Sequence, residues 1–446
     1  MEPLSLHPEN PHYFLFRGKP AVLISSGEHY GAVLNLDFDY VTYLDELESV
    51  GLNLTRVFMG VYHEYPGYFG IEGNSLAPDP DRFISPWVRS DVPGAADGGN
   101  RFDLDRWNDE YMRRLVDFCE AASASGIVVE ICLFCPFYFH MVGNRLWEIC
   151  PLHPQNNINQ TPDAGREVYS LKHSVLLKYQ EKMVKKIVKE LNRFDNIYYE
   201  ICNEPWADNI SIEWQHHIAD VIAATEESLP YKHLISQNIS NGYEEVKDPY
   251  HQISILNFHY APGEAVALNY RLGLAIGCNE TGLCGTADFV YRSQAWEFIL
   301  SGGALFNNLD YSFSPGYERG TYKYGPRQPG GGSPSLRAQL SILKDFVYSL
   351  DFIRMAPDAS VVKRLHTIHG SARVLAERGR TYGIYIRGRS VAEISLDIPE
   401  GTYRAEWVDV ESGRVTKTEV VNHAGGYMDL VSPSFGQDIA LRVVRS

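Results

Sequence analysis

Eight short apolar runs alternate with longer amphipathic stretches between roughly residue 20 and residue 350, and no other feature constrains the fold as much. The apolar runs lie at 21–25, 53–58, 127–134, 197–202, 234–237, 253–258, 272–278 and 304–309. The amphipathic stretches between them lie at 39–50, 105–125, 171–193, 212–228 and 287–300. Strands that are apolar on both faces are typical of parallel sheets covered by helices. Eight such strands in succession predict an α/β fold of the (β/α)8 TIM barrel type rather than an open doubly wound sheet.

The main competing α/β fold binds dinucleotides and needs a glycine-rich turn directly after its first strand. In this chain the first apolar run continues as Ser25-Ser-Gly-Glu-His-Tyr30, which has a single glycine. The sequence therefore argues against a dinucleotide-binding sheet, and we expect no cofactor of that class.

Two connections in the predicted barrel are unusually long, at 59–104 after the second strand and 135–170 after the third. Both follow the carboxyl ends of their strands, the face on which barrel active sites are assembled. Long loops are usually functional or disordered, but these are too aromatic for disorder. Their aromatic and His residues include Tyr62, His63, Tyr65, Tyr68, Phe69, Trp87, Phe137, Tyr138, His140 and Trp147. We interpret the two loops as walls of a pocket.

The pattern changes after a last predicted helix at 336–350. Short alternating runs follow at 372–376, 381–386, 391–396, 402–408, 417–421 and 439–444. Such runs, separated by turn residues, predict a small antiparallel β-sandwich domain. We therefore divide the chain into a barrel at 1–352, which begins with a short N-terminal strand segment, and a sandwich at 353–446.

Two glutamates stand at the ends of predicted barrel strands. The fourth strand runs directly into Asn203-Glu204-Pro205, and the seventh ends at Glu280. Strands four and seven face each other across a small barrel, so the two carboxyl groups can meet over a bound ligand. A glycosidic bond is cleaved by such a pair, one carboxylic acid protonating the leaving oxygen and one carboxylate acting at the anomeric carbon. Either glutamate alone would be read as a rim residue in a salt bridge, whereas the pair predicts catalysis.

With these motifs the chain resembles the clan A glycoside hydrolases, the superfamily that includes the family 5 cellulases and mannanases. The resemblance covers about 330 of the 446 residues. It implies a retaining glycoside hydrolase that acts by double displacement, with Glu204 as acid/base and Glu280 as nucleophile. It also implies that Arg56, at the end of strand two, hydrogen-bonds the nucleophile and that Asn203 binds the sugar 2-hydroxyl.

The chain departs from the clan pattern in two places. The clan has His-x-Tyr after strand six, whereas His259 and Tyr260 are adjacent here; we favour Tyr260 as the residue that supports Glu280. The usual strand-eight Trp is replaced by the run Asn307-Asn-Leu-Asp-Tyr311. The barrel-plus-sandwich layout resembles the apiosidase-like branch of the clan, a resemblance that does not identify the sugar.

Further polar and aromatic residues stand at the predicted mouth of the barrel and are candidates for substrate binding. Trp206 and Tyr311 follow strands four and eight, and Glu28 and His29 follow strand one. Glu28 and His29 could contact sugar hydroxyls or form a hydrogen-bonded pair within the wall, and both interpretations stay open. We expect an exo-acting enzyme on an oligosaccharide or glycoside, because the long loops close the cleft.

The formal net charge of −16, from 40 basic and 56 acidic side chains, argues against nucleic acid and anionic membrane partners. Two alternatives to a glycosidase are an inactive carbohydrate-binding barrel and a metal-dependent barrel hydrolase. The metal site of such a hydrolase needs His-x-His at strand one, where this chain has only His29. We therefore expect a carbohydrate substrate and no metal or other cofactor.

The seven cysteines are scattered without a disulfide-like framework, and no signal peptide is visible. These features predict a cytoplasmic protein, or a secreted one if a leader has been removed. The sandwich could bind glycan, brace the barrel or form a subunit interface, and bracing is the interpretation we favour; homo-oligomerisation is left open.

Overall fold

The structure is a computed structural model that describes residues 2–446. Its centre is a sheet of eight parallel strands, here called barrel strands one to eight in chain order. They span Leu23–Gly27, Leu54–Phe58, Val128–Phe134, Ile197–Cys202, Ile235–Asn241, Ile255–His259, Ala275–Glu280 and Leu305–Leu309. Strands two to seven each pair with the next strand in chain order, and strand eight pairs with strand one, whereas in the described chain strands one and two share no ladder. The predicted (β/α)8 barrel is confirmed.

An asparagine bridges the seam between strands one and two. The Asn53 side chain accepts a hydrogen bond from the Ile24 amide at 2.8 Å and donates one to the Val22 carbonyl at 3.0 Å. The Asn53 amide itself donates to the Ile24 carbonyl at 3.3 Å. One amide side chain thus satisfies strand-edge groups that a regular ladder would otherwise pair.

Helices cover the outside of the barrel and bury one apolar face against it. The longest, Ser174–Leu191, buries Leu176, Met183 and Ile187 on that face, as its 3.6-residue periodicity predicts. The other α-helices are Tyr40–Ser49, Asp109–Ala124, Phe139–Val142, Arg145–Ile149, Ile212–Glu226, Gly263–Asn269, Asp288–Ile299 and Pro334–Tyr348. Short 3-10 turns lie at Tyr68–Gly70, Pro80–Arg82, Gly165–Glu167, Pro205–Asp208, Tyr270–Leu272, Phe352–Arg354 and Ala359–Val361. In the part of the chain that is described, none of the helices combines the length and the apolar character needed to cross a bilayer.

An N-terminal meander covers the amino end of the barrel. Its strands are Ser5–His7, Asn10–Phe16 and Lys19–Ala21. Arg17 donates to the Asp195 carboxylate at 2.8 Å, just before strand four, and to the Ser123 carbonyl at 2.9 Å, just before strand three. The amino end is therefore closed, which leaves the carboxyl ends of the strands as the open face.

The loop after strand two contains a β-ribbon that the sequence did not predict. Its strands are Trp87–Pro93 and Asn100–Trp107, paired antiparallel. The helical stretch predicted at 105–125 begins only at Asp109, because Asn108 caps the helix through its side-chain oxygen. The ribbon gives this long loop a fixed shape.

Residues after the last barrel helix form a β-sandwich of two antiparallel sheets, which confirms the predicted second fold unit. The larger sheet orders its strands as Ala356–Pro357, Ser371–Glu377, Thr381–Arg387, Asp438–Arg445, Gly401–Val408 and Val415–His423. The smaller sheet contains Val362–His366, Glu393–Asp397 and Tyr427–Val431. Between the sheets lies a separate apolar core around Trp407 and Tyr403.

The larger sheet packs directly on the barrel helix Asp288–Ile299. The Trp296 and Tyr385 rings stack with centroids 5.5 Å apart, and the Arg292 guanidinium makes two hydrogen bonds to the Asp438 carboxylate, at 2.7 and 3.0 Å. Both members of this ion pair are buried. This buried aromatic stack and ion pair favour the bracing role for the sandwich.

Candidate active site

A cavity of about 210 Å³ opens at the carboxyl ends of the barrel strands. It is lined by His29, Tyr30, Phe58, Tyr62, Glu64, Phe69, Ile71, Leu76, Cys135, Tyr138, Met141, Asn203, Glu204, Asn241, Tyr260, Glu280, Leu283, Leu309 and Tyr311. Both glutamates singled out from the sequence lie in this wall. Glu280 is the last residue of strand seven, and Glu204 follows strand four by two residues.

The two carboxyl groups are held close together by one histidine. Nδ1 of His259 lies 3.0 Å from Glu204 Oε1 and 3.4 Å from Glu280 Oε1. One oxygen of each carboxyl group and a ring nitrogen of His259 all lie within 4.8 Å of one another. The His259 ring is buried, so the three groups interact in a medium from which water is largely excluded.

Glu280 is surrounded by hydrogen-bond donors. Tyr30 donates to Oε2 at 2.9 Å, Tyr260 donates to Oε1 at 3.2 Å, and Arg56 donates to Oε2 at 3.4 Å. Burial raises the pKa of Glu280, but protonated His259, Arg56 and Tyr30 outweigh burial and hold this pKa well below its ordinary value. Glu280 is therefore ionised at neutral pH.

Glu204 has a more open setting. Its carboxylate accepts a hydrogen bond from Tyr138 at 2.9 Å, and its backbone amide donates to the Asn238 side chain at 3.1 Å. The Asn203 side chain donates to the Tyr138 hydroxyl at 2.9 Å and accepts from Arg56 at 2.8 Å. Glu204 thus keeps access to the cavity, whereas Arg56 joins Asn203 to the Glu280 network.

Four of these residues lie in the left-handed region of the backbone map: Tyr30 (φ 58°), Tyr138 (φ 53°), Glu204 (φ 35°) and Tyr260 (φ 52°). For a non-glycine residue this conformation costs roughly 1–2 kcal/mol, and such strain concentrates at functional sites. At Tyr260 it turns the chain so that two adjacent side chains both reach the carboxyl groups. A register shift between Phe258 and His259 also pairs His259 with Glu280 directly.

Beneath the cavity lies a buried layer of charges that fixes Arg56. Its guanidinium pairs with Glu200 and lies 3.5 Å from Glu130, while Asn257 and Asn279 donate to both carboxyl groups. Burial and the neighbouring Glu200 hold the pKa of Glu130 far above its ordinary value. Burial alone would also raise the pKa of Glu200, but the attraction of Arg56 is larger than this effect and lowers the pKa of Glu200 below its ordinary value. The two carboxyl groups therefore share one proton, and the ionised one anchors Arg56 below Glu280.

The protonation of His259 makes folding stability depend on pH. Burial alone would lower the pKa of His259, but the Glu280 and Glu204 carboxylates raise it to about 9. The resulting stabilisation is fully present below pH ~6.5 and is lost as the pH rises through about 9, a change on the order of 3 kcal/mol. We expect the free energy of unfolding of the wild type to fall over this interval and that of His259→Gln to change much less.

Denaturant titrations at several pH values between 6 and 9.5 measure this difference. His216→Gln is the matched control, because His216 is a partly exposed helix residue that stacks on Tyr250, and it should follow the wild type. If His259→Gln lost stability with pH in parallel with the wild type, the ion pairs assigned to His259 would be wrong.

Solved structures of known proteins share this architecture. A glycoside hydrolase of 13% identity aligns over 100% of this chain and 97% of its own, with a TM-score of 0.64. A glycoside hydrolase family 5 protein from Bacteroides vulgatus ATCC 8482, of 13% identity, aligns over 99% of this chain and 93% of its own, also at 0.64. A candidate glycoside hydrolase from the same organism, of 12% identity, aligns over 100% and 82%, at 0.67. The chain has the fold of these glycoside hydrolases. No protein-family model and no curated protein matches the sequence.

Within this glycoside hydrolase fold, four of the eight residues predicted for substrate binding line the cavity. Asn203, His29, Tyr260 and Tyr311 line it. Three others do not line it: Arg56 lies beneath Glu280, His259 lies between the two glutamates, and the partly exposed Trp206 ring lies 5.6 Å from His259.

Glu28 lies behind the wall. Its carboxylate accepts hydrogen bonds from the Gly31 amide at 3.0 Å and the Ala32 amide at 3.1 Å, and it also binds the Ser75 hydroxyl. These bonds hold the turn after strand one, and Glu28 is not among the residues that line the cavity. Its position does not favour the sugar contact, one of the two interpretations left open for it.

Sequence reasoning missed Tyr30 and Glu64, which line the cavity, and Glu200, which anchors Arg56. It placed Tyr138 in the wall of a pocket but did not predict its hydrogen bond to Glu204. For Glu200 a signal was present, because a carboxylate inside the apolar strand Ile197–Cys202 needs a buried partner. For Tyr30 and Tyr138 the deciding property is a left-handed backbone, which residue type does not reveal.

Proposed function

We propose that the protein is a retaining glycoside hydrolase in which Glu280 is the nucleophile and Glu204 the acid/base. The observation that carries the proposal is the approach of the two carboxyl groups, whose nearest oxygens lie within 4.8 Å of each other beside His259. Retaining enzymes place their two carboxyl groups about 5–5.5 Å apart, whereas inverting enzymes leave about 6.5–9.5 Å for a water. The short distance supports direct attack by a carboxylate.

The two glutamates have different roles in the proposed reaction because their surroundings differ. In the first step Glu280 attacks the anomeric carbon, the bond from this carbon to the leaving oxygen breaks, and Glu204 gives its proton to that oxygen. In the second step Glu204 takes a proton from water, whose oxygen attacks the same carbon and releases Glu280 as a carboxylate. Three hydrogen-bond donors already hold Glu280 ionised, while Glu204 is reached only by Tyr138 and the shared His259.

The metal-dependent alternative is not favoured by the same group of residues. Glu204, His259 and Glu280 are close enough to hold an ion, but the pKa of His259 is raised to about 9, so a metal at neutral pH would have to displace a proton that the two carboxylates stabilise. The inactive carbohydrate-binding alternative leaves unexplained why Glu280 is held ionised beside a second carboxyl group. Turnover of aryl glycosides by the purified protein decides between these alternatives and the glycosidase.

We further propose that the enzyme is exo-acting on a carbohydrate chain end or a simple glycoside. The cavity of about 210 Å³ is smaller than the roughly 300–1,000 Å³ typical of small-molecule sites, so it suits one terminal sugar. Tyr62, Phe69 and Ile71 from the loop after strand two and Met141 from the loop after strand three close its sides. We expect oligosaccharide digests to release only small sugars from the first minutes onward. Early accumulation of mid-chain fragments from a polysaccharide would contradict this proposal.

A further inference from the structure

One wall of the cavity carries polar groups that the two-glutamate mechanism does not use. We call Glu64, His29 and Tyr311 the polar wall; all three are buried and line the cavity. Glu64 comes from the loop after strand two, His29 follows strand one and Tyr311 follows strand eight. The three side chains thus reach the cavity from elements far apart in the sequence.

The polar wall has unused hydrogen-bonding capacity. Each oxygen of Glu64 accepts one bond from the protein, from the Tyr62 hydroxyl at 2.8 Å and from the Asn74 amide at 2.6 Å. A carboxylate can accept about four. Within residues 2–446, the Tyr311 hydroxyl and Nδ1 of His29 have no partner. Buried polar groups are nearly always satisfied. All three side chains line one cavity, so their spare donor and acceptor capacity indicates a hydroxylated ligand.

The charge of the cavity restricts that ligand further. Among the described residues that line the cavity there is no Lys or Arg. Burial lowers the pKa of His29 to about 4, so its ring is neutral. Arg56 is bound by Glu200 and Glu280, and His259 is bound by the two glutamates. An anionic sugar would therefore meet carboxyl groups without a free cation to pair with it.

We propose that the polar wall hydrogen-bonds the hydroxyl groups of a neutral sugar in the glycone position and disfavours binding of the corresponding uronic acid. Glu64 is the specificity-determining residue. The inference rests on the proposed glycosidase function and names the substrate class for it. Burial raises the pKa of Glu64 to about 7, so near neutrality its carboxyl group can both accept from and donate to sugar hydroxyls.

The test compares two aryl glycosides that differ only in whether carbon six carries a hydroxymethyl or a carboxylate group. The wild type should hydrolyse the neutral one at least 100-fold better in kcat/KM, since an unpaired buried charge costs several kcal/mol. Glu64→Gln should lower kcat/KM for the neutral glycoside by roughly 10–100-fold, the effect of losing a hydrogen bond to a charged group. Glu64→Gln should also reduce the ratio of kcat/KM for the neutral glycoside to kcat/KM for the uronide. Tyr311→Phe, which removes only one hydroxyl, should lower kcat/KM for the neutral glycoside by roughly 5–10-fold.

Glu72→Gln is the matched control, because Glu72 is an exposed carboxylate of the same loop, and it should keep wild-type kcat/KM. Binding gives a second readout: calorimetry with the free neutral sugar and the free uronic acid should show Glu64-dependent binding of the neutral sugar only. If glycosides are hydrolysed but Glu64→Gln and Tyr311→Phe match the wild type, the inference is wrong and the glycosidase proposal stands. If no glycoside is hydrolysed but the neutral sugar binds in a Glu64-dependent way, the glycosidase proposal is wrong, and the inference that the polar wall binds a neutral sugar stands.

Discussion

Replacing Glu280 by Ala is expected to lower kcat for every glycoside by roughly 10⁴-fold or more, equivalent to about 5.5 kcal/mol of transition-state stabilisation. The reason is that, among the described residues of the cavity, no other carboxylate stands at the same position with three hydrogen-bond donors around it. Tyr30, Tyr260 and Arg56 all direct their donors at Glu280. An activated leaving group cannot compensate, because Ala has no carboxylate that could form the bond to the anomeric carbon. Steady-state kinetics on several aryl glycosides measure the effect.

The folding of this variant must be checked separately, because removing one partner of a buried ion pair costs about 3–5 kcal/mol. His259 and Arg56 would each lose the Glu280 carboxylate. We expect a lower thermal midpoint with an unchanged far-ultraviolet circular dichroism spectrum. Glu72→Gln again serves as the control for a lost carboxylate on the surface. A well-folded Glu280→Ala protein that keeps a tenth of wild-type turnover would contradict the nucleophile assignment.

Replacing Glu204 by Ala is expected to have an effect that depends on the leaving group. For glycosides with poor leaving groups kcat/KM should fall by about 10²–10⁴-fold, the usual contribution of a general acid. For activated aryl glycosides kcat/KM should fall little, because the leaving oxygen needs no proton. Their kcat should still fall, since water then attacks the glycosyl-enzyme without a base. A plot of log kcat/KM against leaving-group pKa should therefore be steeper for the variant than for the wild type.

Added azide distinguishes the two roles. Azide attacks the glycosyl-enzyme without a base, so it should restore turnover of activated substrates by Glu204→Ala and give a glycosyl azide of retained configuration. Azide that instead rescues Glu280→Ala, with a product of opposite anomeric configuration, would exchange the two roles. Tyr138→Phe is a useful comparison, because it removes only the hydroxyl that bonds Glu204 and should lower activity much less than Glu204→Ala.

The sequence predicted the barrel well because periodicity reports burial directly. The apolar run at 197–202 coincides with strand four, Ile197–Cys202, since all six of its residues are buried. The same logic failed for parts of the sandwich. Val362–His366 reads Val-Lys-Arg-Leu-His and is partly or fully exposed throughout, and Ala356–Pro357 is only two residues long at a sheet edge. Edge strands bury too little for a pattern to appear.

The site was only partly predictable for a different reason. Strand-end position was enough to find Glu204 and Glu280, because parallel strands deliver their carboxyl ends to one face of the barrel. It was not enough to decide between His259 and Tyr260 as the support of Glu280, and the structure brings both to Glu280. The left-handed backbone at Tyr260 allows this arrangement. A tyrosine does not predict that conformation any more than another non-glycine residue does.

The most direct test of the two-carboxylate account is mass spectrometry after trapping the glycosyl-enzyme. A 2-deoxy-2-fluoro derivative of the best aryl glycoside slows both steps, and an activated leaving group lets the first proceed, so the covalent intermediate accumulates. The account predicts one added fluorosugar per chain, carried by the peptide that contains Glu280 and absent from Glu280→Ala. Two results would contradict the account. One is label on the peptide that contains Glu204; the other is turnover of the fluorinated substrate that leaves the enzyme active and gives a product of inverted anomeric configuration.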